Sequence, residues 1–416
     1  MNKKILHLNF SDDGGAGIAV KRINECLIKS NVNSKILVAE KNTSDKNVIY
    51  NQSRLDNFFW KNKKKISRNL KFFFKTKNKN THTISFFNSN ILSQIKKYNP
   101  DFLNIHWIGN EFISLEQIKK INIPIFWTLH DMWLYCGAEH YTFNNRFIEG
   151  YLKNNRPQTE NGFDLNRWVW NRKKKNLPNN FEVIATSDWQ FNNAKKSNLL
   201  KNKKIHKLFL PIDTNFWKPV DKRKSRESLS WQDNVFYFLF GFSNYDKKYI
   251  KGLDIAIDIF KKTKKKYPEK KFILNVFGEV DKKYFQDEEI NFLGKIEDEN
   301  KLKLIYSASN LLINTSRQES FGQIALESLS TGLPIIILDN TGTKDLIKSL
   351  EMGFIFKDSS LENINDFFVW LNNDQLNLNS EKIHRIISEN FSYETISKNY
   401  INLIEDFIEK NKFTYK

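Results

Sequence analysis

From Ile5 to Leu338, short apolar runs alternate with helix-length amphipathic ones, and the alternation runs twice. In the first pass, the runs Ile5–Phe10, Ser34–Ala39, Phe102–His106, Ile123–Thr128 and Phe181–Ala185 read as strands, and Ile18–Lys29 as a helix. The pattern pauses near Phe209-Leu210-Pro211-Ile212-Asp213. The polar, lysine-rich segment from Lys218-Pro219 to Asp233 reads as a linker. Alternation then restarts with strands at Val235–Phe240, Lys271–Phe277, Asn310–Asn314 and Pro334–Leu338, and helices at Leu253–Lys266 and Phe321–Ser330. The last forty residues look helical. Strands bounded by helical patterns predict parallel βαβ units. The expected architecture is therefore α/β, with two parallel-sheet domains of similar size at residues 1–215 and 216–390. A C-terminal helix over 391–416 is expected to pack back on the first domain. No internal repeat of 20–50 residues appears.

Composition narrows the class. The chain has 416 residues, 40% of them hydrophobic and 27% charged, a balance typical of a soluble globular protein. Two cysteines, Cys26 and Cys136, exclude a disulfide scaffold and a cysteine-rich zinc site, and fit a reducing compartment. The run Ile5–Phe10 is too short for a signal-peptide core, and no apolar stretch approaches the ~18 residues of a membrane span. The expectation is a cytoplasmic protein. The net charge of +19 attracts anions, among them nucleic acid, anionic lipid and phosphorylated small molecules. The abundance of Lys, Asn, Ile and Phe also matches what an AT-rich genome favours.

In open parallel sheets, ligands sit outside the carboxyl ends of the strands. The strand ending at Asn314 leads into Arg317-Gln318-Glu319-Ser320-Phe321-Gly322-Gln323-Ile324-Ala325-Leu326-Glu327. Ser320 and Gln323 have capping-box spacing, which predicts a helix starting at Phe321. The amides of Phe321, Gly322 and Gln323 would then face an anion, and Gly322 would let it approach the backbone. Ile324, Ala325 and Leu329 are expected toward the core, with Gln323, Glu327 and Ser330 on the other face. Glu319 and Glu327 would flank the anion, and carboxylates accept hydrogen bonds from hydroxyls. On spacing alone, an acidic residue before a helix and an exposed helical glutamate are equally ordinary readings.

The run from Asn314 to Leu338, with Glu319-x7-Glu327 followed by Thr331-Gly332-Leu333-Pro334-Ile335-Ile336, resembles the signature of the retaining family 4 glycosyltransferases. The resemblance implies the GT-B fold, with two Rossmann-like domains facing across a cleft. The first domain would be the acceptor side and the second would bind the nucleotide-sugar. It implies that Glu319 contacts the donor sugar, Glu327 holds the ribose, and the amides of Phe321 to Gln323 take the diphosphate, with Ser320 among the donor-binding residues. It places a phosphate-binding lysine at Lys251, in Lys251-Gly252-Leu253-Asp254. The family often carries an arginine shortly before that lysine. Here the loop reads Ser243-Asn244-Tyr245-Asp246-Lys247-Lys248, so Lys247 or Lys248 substitutes, or one cation suffices. A lysine lacks the bidentate fork of arginine.

His130-Asp131-Met132-Trp133, then Gly137-Ala138-Glu139-His140-Tyr141, resembles a segment of a family 4 subgroup linked to bacterial exopolysaccharide and lipopolysaccharide assembly. That likeness implies His130 at the transferred sugar as a catalytic-site residue with Glu319 and Lys251, and Asp131, Trp133 and His140 on the acceptor side. The subgroup usually continues with cysteines, and residues 142–176 contain none. The first turn, Ser11-Asp12-Asp13-Gly14-Gly15-Ala16-Gly17, resembles the family's glycine-rich loop, with Gly14 and Gly15 beside the donor. Ser187-Asp188-Trp189 fits the family's Ser-x-Trp helix start. Leu210 to Phe216 fits its interdomain crossing without the usual Asn-Gly.

The expected function is thus transfer of a sugar from a nucleotide-sugar, UDP-linked first and GDP-linked next, onto a saccharide or lipid-linked saccharide in cell-surface polysaccharide synthesis. The nucleotide-sugar is a co-substrate; no cofactor and no metal are expected, because no Asp-x-Asp motif stands in a strand-end loop. Phe58-Phe59-Trp60, the cations Lys61 to Lys71, and Phe72-Phe73-Phe74-Lys75 have the composition of a helix lying on an anionic membrane, with Phe59, Ile66, Leu70 and Phe73 in one stripe. This gives residues 58–75 a peripheral role at the inner face of the plasma membrane; a surface helix packed on the first domain is the plainer reading. Two alternatives stand beside the transferase: a basic nucleic-acid-binding protein, and a nucleotide-sugar-binding protein without activity.

Overall fold

A computed structural model describes the chain except residues 1–2, 51–61, 64, 70–72, 180, 243–247, 280–286, 373–379 and 412–416, and the side chains of residues 248, 410 and 411. The chain divides into two compact units, residues 1–211 with 396–416, and residues 212–395.

The first unit holds a seven-stranded sheet. Its spatial order is Val48–Ile49, Asn33–Leu37, Lys4–Leu8, Phe102–Ile105, Ile125–Leu129, Phe181–Ala185 and Ile205–Lys207, all parallel. The strands Phe102–Ile105 and Ile125–Leu129 are buried throughout, as a parallel sheet covered on both faces requires. A separate antiparallel pair joins Phe74–Thr76 to Glu160–Gly162. The last helix, Tyr393–Asn411, buries Ile396, Tyr400, Ile404 and Phe407. Spacings of four, four and three keep these four on one helical stripe. Phe407 meets Phe126 and Phe102 at ring-centroid distances of 4.7 and 6.0 Å, and Tyr400 is hydrogen-bonded to Asn104. Each such buried side chain contributes about 1.5–3 kcal/mol.

The second unit holds a six-stranded parallel sheet in the order Ile290–Gly294, Phe272–Phe277, Phe236–Gly241, Leu311–Asn314, Ile335–Leu338 and Gly353–Phe356. In each sheet the first strand lies centrally and the chain then winds outward on both sides. The order reverses beside that first strand: between Lys4–Leu8 and Phe102–Ile105 in one unit, and between Phe236–Gly241 and Leu311–Asn314 in the other. Such reversal points open a crevice at the strand ends.

The segment read as a linker contains a helix, Lys222–Leu229. Arg226 explains it. Its guanidinium is buried and donates to Ala308 O (3.0 Å), Asp233 O (2.7 Å) and Asn310 Oδ1 (2.8 Å). Polar anchoring holds this helix where an apolar stripe is lacking.

Candidate active site

In the second unit, the two loops at the reversal point are tied together. Lys251 ends the short helix Lys248–Lys251, and its Nζ is hydrogen-bonded to Glu319 Oε2. Ser316 Oγ lies 3.4 Å from the same oxygen. Around this pair, Arg317 donates two bonds to Asp254, at 2.7 and 2.6 Å, and its backbone amide donates to Ile250 O at 2.7 Å. Thr315 Oγ1 donates to Gly252 O at 2.9 Å. Gly252 has φ +73°, and a Cβ there would lie 2.0 Å from Thr315 O, so glycine is required for the loops to meet. Sequence reasoning missed Arg317. Its guanidinium holds the Asp254 carboxyl below the usual range, and it also stacks on Tyr249 at 4.2 Å.

The helix after Asn314 starts later than its capping-box spacing suggests. It spans Gln323–Ser330, and its N-cap is Gly322 at φ +97°. The left-handed glycine interrupts the helical run, so Ser320 is not the cap and Phe321 is not helical. The first helical amides are those of Gln323 and Ile324. Ser320 and Phe321 are buried, and a Cβ on Gly322 would lie 2.8 Å from Thr343 Oγ1. That hydroxyl is buried and has no hydrogen-bond partner among the described residues. Ala325 and Leu329 face the core, while Ile324 is only half-buried. Glu327 is not exposed: it is 5% accessible and accepts a hydrogen bond from Tyr306 Oη at 2.9 Å. Tyr306 sits on Glu299–Ala308, a helix with no motif to draw attention to it. Lys247 and the side chain of Lys248 lie outside the described residues.

In the first unit, His130 follows the strand Ile125–Leu129 and lines a pocket with Trp107, Asp131, Trp133, Leu134 and His140. Asp131 Oδ1 accepts from the Trp133 amide (2.8 Å) and Oδ2 from His140 Nδ1 (2.6 Å). Burial alone would raise the Asp131 carboxyl, but His140 and the Trp133 amide outweigh it and hold Asp131 below the usual range. Trp107 Nε1 lies 3.0 Å from the same nitrogen of His140. Trp107 can only donate and ionised Asp131 can only accept. The shorter, charge-assisted bond to Asp131 therefore takes the Nδ1 proton. Trp133 and His140 are buried at 4% each, and Trp133 Nε1 donates to Thr83 O at 3.1 Å. These residues build the pocket wall around His130.

Lys173, fully buried, fixes that wall from behind. Its Nζ donates to the carbonyls of Trp133, Cys136 (3.2 Å) and Gly137 (2.7 Å) and lies 3.8 Å from the Trp133 ring centre. Gly14 and Gly15 open the helix Gly14–Lys29, and nothing lies within 4 Å of a Cβ at either. Asp12, buried just before them, accepts from the amides of Asn42 (2.6 Å) and Thr43 (3.0 Å). Among the described residues no group of acids, histidines or cysteines has metal-binding geometry, and no helix is long and apolar enough to cross a membrane.

Residues 221–391 match the family described as Glycosyl transferases group 1. Mannosylfructose-phosphate synthase of Agrobacterium fabrum is 24% identical over 287 residues, 64% of this chain; the match spans 59% of that enzyme's length. Solved structures share the fold, these two among them. WaaG, a glycosyltransferase involved in lipopolysaccharide biosynthesis, covers 96% of this chain and 99% of its own at 13% identity and a TM-score of 0.64. HepE of Anabaena, solved with UDP and glucose, covers 97% and 100% at 15% identity and a TM-score of 0.62. The fold is that of the GT-B glycosyltransferases, and the matched segment contains Lys251, Glu319 and Glu327.

Proposed function

We propose that the protein is a retaining glycosyltransferase of family 4 type. It takes a sugar from a nucleotide-sugar, UDP-linked first and GDP-linked next, and passes it to a saccharide or lipid-linked saccharide in cell-surface polysaccharide synthesis. The observation that carries this reading is the joining of Lys251 to Glu319 at the sheet reversal, with Glu327 fixed by Tyr306 about one turn into the next helix. An ammonium beside a carboxylate suits a diphosphate bound next to a sugar. Lys251 neutralises charge that develops on the leaving phosphate, Glu319 accepts from sugar hydroxyls, and Glu327 accepts from the ribose. Gly322 and the amides of Gln323 and Ile324 admit the diphosphate at a helix start. In the first unit, His130 is the residue we assign to the transferred sugar, and Gly14 and Gly15 those we assign to the donor.

The UDP in HepE supports a uridine donor, and the stated role of WaaG supports a surface-polysaccharide product. No metal takes part in this scheme, and Lys251 supplies the cation. We place the protein in the cytoplasm, peripheral on the inner face of the plasma membrane. Support comes from the described part of residues 58–75: Ile66 and Phe73 are exposed, at 48% and 67%. Phe163, 51% exposed, adjoins Phe73 through a 3.0 Å backbone hydrogen bond, and Arg156 donates to the Phe163 carbonyl at 3.3 Å. The absent arginine before Lys251 favours one second reading, a donor-binding protein without activity.

Nucleotide release from a panel of UDP-, GDP- and ADP-sugars separates the two. Turnover of one donor, lost in Glu319→Ala and Glu327→Ala, supports the transferase; binding of a donor without turnover, with or without added saccharide acceptors, supports the second reading.

A further inference from the structure

We infer that His7 and His106 are positioning residues that fix His130 as a hydrogen-bond donor through Nδ1, an inference that rests on the transferase reading only for the identity of the recipient, a sugar hydroxyl. Three imidazoles from three neighbouring strands form a relay. His7, inside the strand Lys4–Leu8, places Nδ1 2.9 Å from His106 Nε2. His106, just past Phe102–Ile105, places Nδ1 2.8 Å from His130 Nε2. His7 and His106 are buried at 0% and 2%, and His130, half-buried, ends the relay at the pocket.

Burial keeps all three neutral: His7 is pushed down to about 3, His130 to about 4, and His106 well below the ordinary histidine range. A neutral imidazole has one donor and one acceptor nitrogen, and the hydrogen bond made by one fixes the other. The relay therefore has only two polarities. In one, Nδ1–H of His7 donates to His106 and Nδ1–H of His106 donates to His130, leaving His130 with hydrogen on Nδ1. The reverse puts an N–H on His7 Nε2, a buried atom with no hydrogen-bond partner among the described residues. Orphaned buried N–H groups are rare. That observation selects the first polarity. His130 then offers a donor to a hydroxyl oxygen and does not act as its base.

Histidine nitrogen spectra of the 15N-labelled full chain at pH 7.5 test this without any donor. Two-bond and three-bond proton–nitrogen correlations distinguish the tautomers, with signals assigned by single substitutions. The expected result is hydrogen on Nδ1 in His7, His106 and His130. Hydrogen on Nε2 of His130 in the wild type overturns the proposal, whether or not any variant folds. In His106→Phe, His130 Nε2 loses the donor that fixes its tautomer. The His130 nitrogens should shift toward an averaged tautomer, and kcat/KM for donor hydrolysis should fall about two- to tenfold, the worth of one neutral hydrogen bond. A lower melting temperature with His130 nitrogens unmoved would show that His106 only packs, and would overturn the positioning role. The expected nitrogen pattern in a wild type that turns over no donor would leave the relay standing and remove the sugar as its recipient.

Discussion

Glu327→Gln separates binding from folding. The side chain is 5% accessible and takes the Tyr306 hydroxyl at 2.9 Å. Glutamine preserves its shape, and its amide oxygen still accepts from Tyr306. A ribose presents two hydroxyls to a carboxylate. In the variant, one hydroxyl meets an NH2 group that cannot accept, and the other meets a neutral oxygen in place of a charged one. A hydrogen bond to a charged group is worth ~1.5–3 kcal/mol and a neutral one ~0.5–1.5, so the combined loss is ~2–4 kcal/mol. At about 1.4 kcal/mol per decade, nucleotide affinity should fall roughly thirty- to thousandfold. Stability should not fall, because the substitution removes a buried charge and leaves no new unpaired group on Tyr306. Calorimetric titration with UDP and GDP, alongside thermal melts, reads both quantities. A folded Glu327→Gln protein that binds its nucleotide within about threefold of the wild type would refute the ribose role.

Further outcomes follow from other parts of the molecule. Burial raises the Glu139 carboxyl from its ordinary 4.5 to about 7, so between those values the folded state binds more protons than the unfolded. Its contribution is fully present below pH 4.5 and is lost as pH rises through 7; urea midpoints should show a fall over that window that Glu139→Gln flattens, and an unchanged profile would contradict the assignment. Phe73→Ser with Phe163→Ser should weaken sedimentation with phosphatidylserine vesicles at least several-fold while leaving neutral phosphatidylcholine vesicles unbound throughout; equal binding by wild type and variant would dismiss the patch. Dialysis against EDTA should leave donor turnover unchanged, and loss restored by magnesium or manganese would require a metal in the scheme.

The parts of the site that the sequence displays are those where chemistry and strand end are contiguous. Glu319, Glu327 and Lys251 follow strands whose apolar runs are unmistakable, so their place at the sheet's carboxyl edge could be read directly. The helix entry could not. Ser320-x-x-Gln323 has the spacing of a capping box, but Gly322 at φ +97° breaks the run, and a Cβ at that position would meet Thr343, a residue far outside the local pattern. Residues 222–229 looked like a linker because Arg226 is anchored by carbonyls more than 80 positions away in sequence, and local periodicity carries no trace of that. The histidine relay was hidden for the same reason: its members stand 99 and 24 residues apart and meet only once the strand order is known. A histidine inside the apolar run Ile5–Phe10 was the available signal, since a polar side chain in a doubly covered strand needs a partner.

The transfer reaction itself can be followed in one NMR time course, with the anomeric proton of the donor sugar observed while wild-type protein consumes it in water or with a saccharide acceptor. The expected result is loss of the donor signal together with nucleotide release, and first-formed product with the donor's own anomeric configuration. A product that appears inverted would contradict retention, and a bound donor whose anomeric signal never changes under any acceptor would contradict glycosyl transfer at Lys251, Glu319 and Glu327.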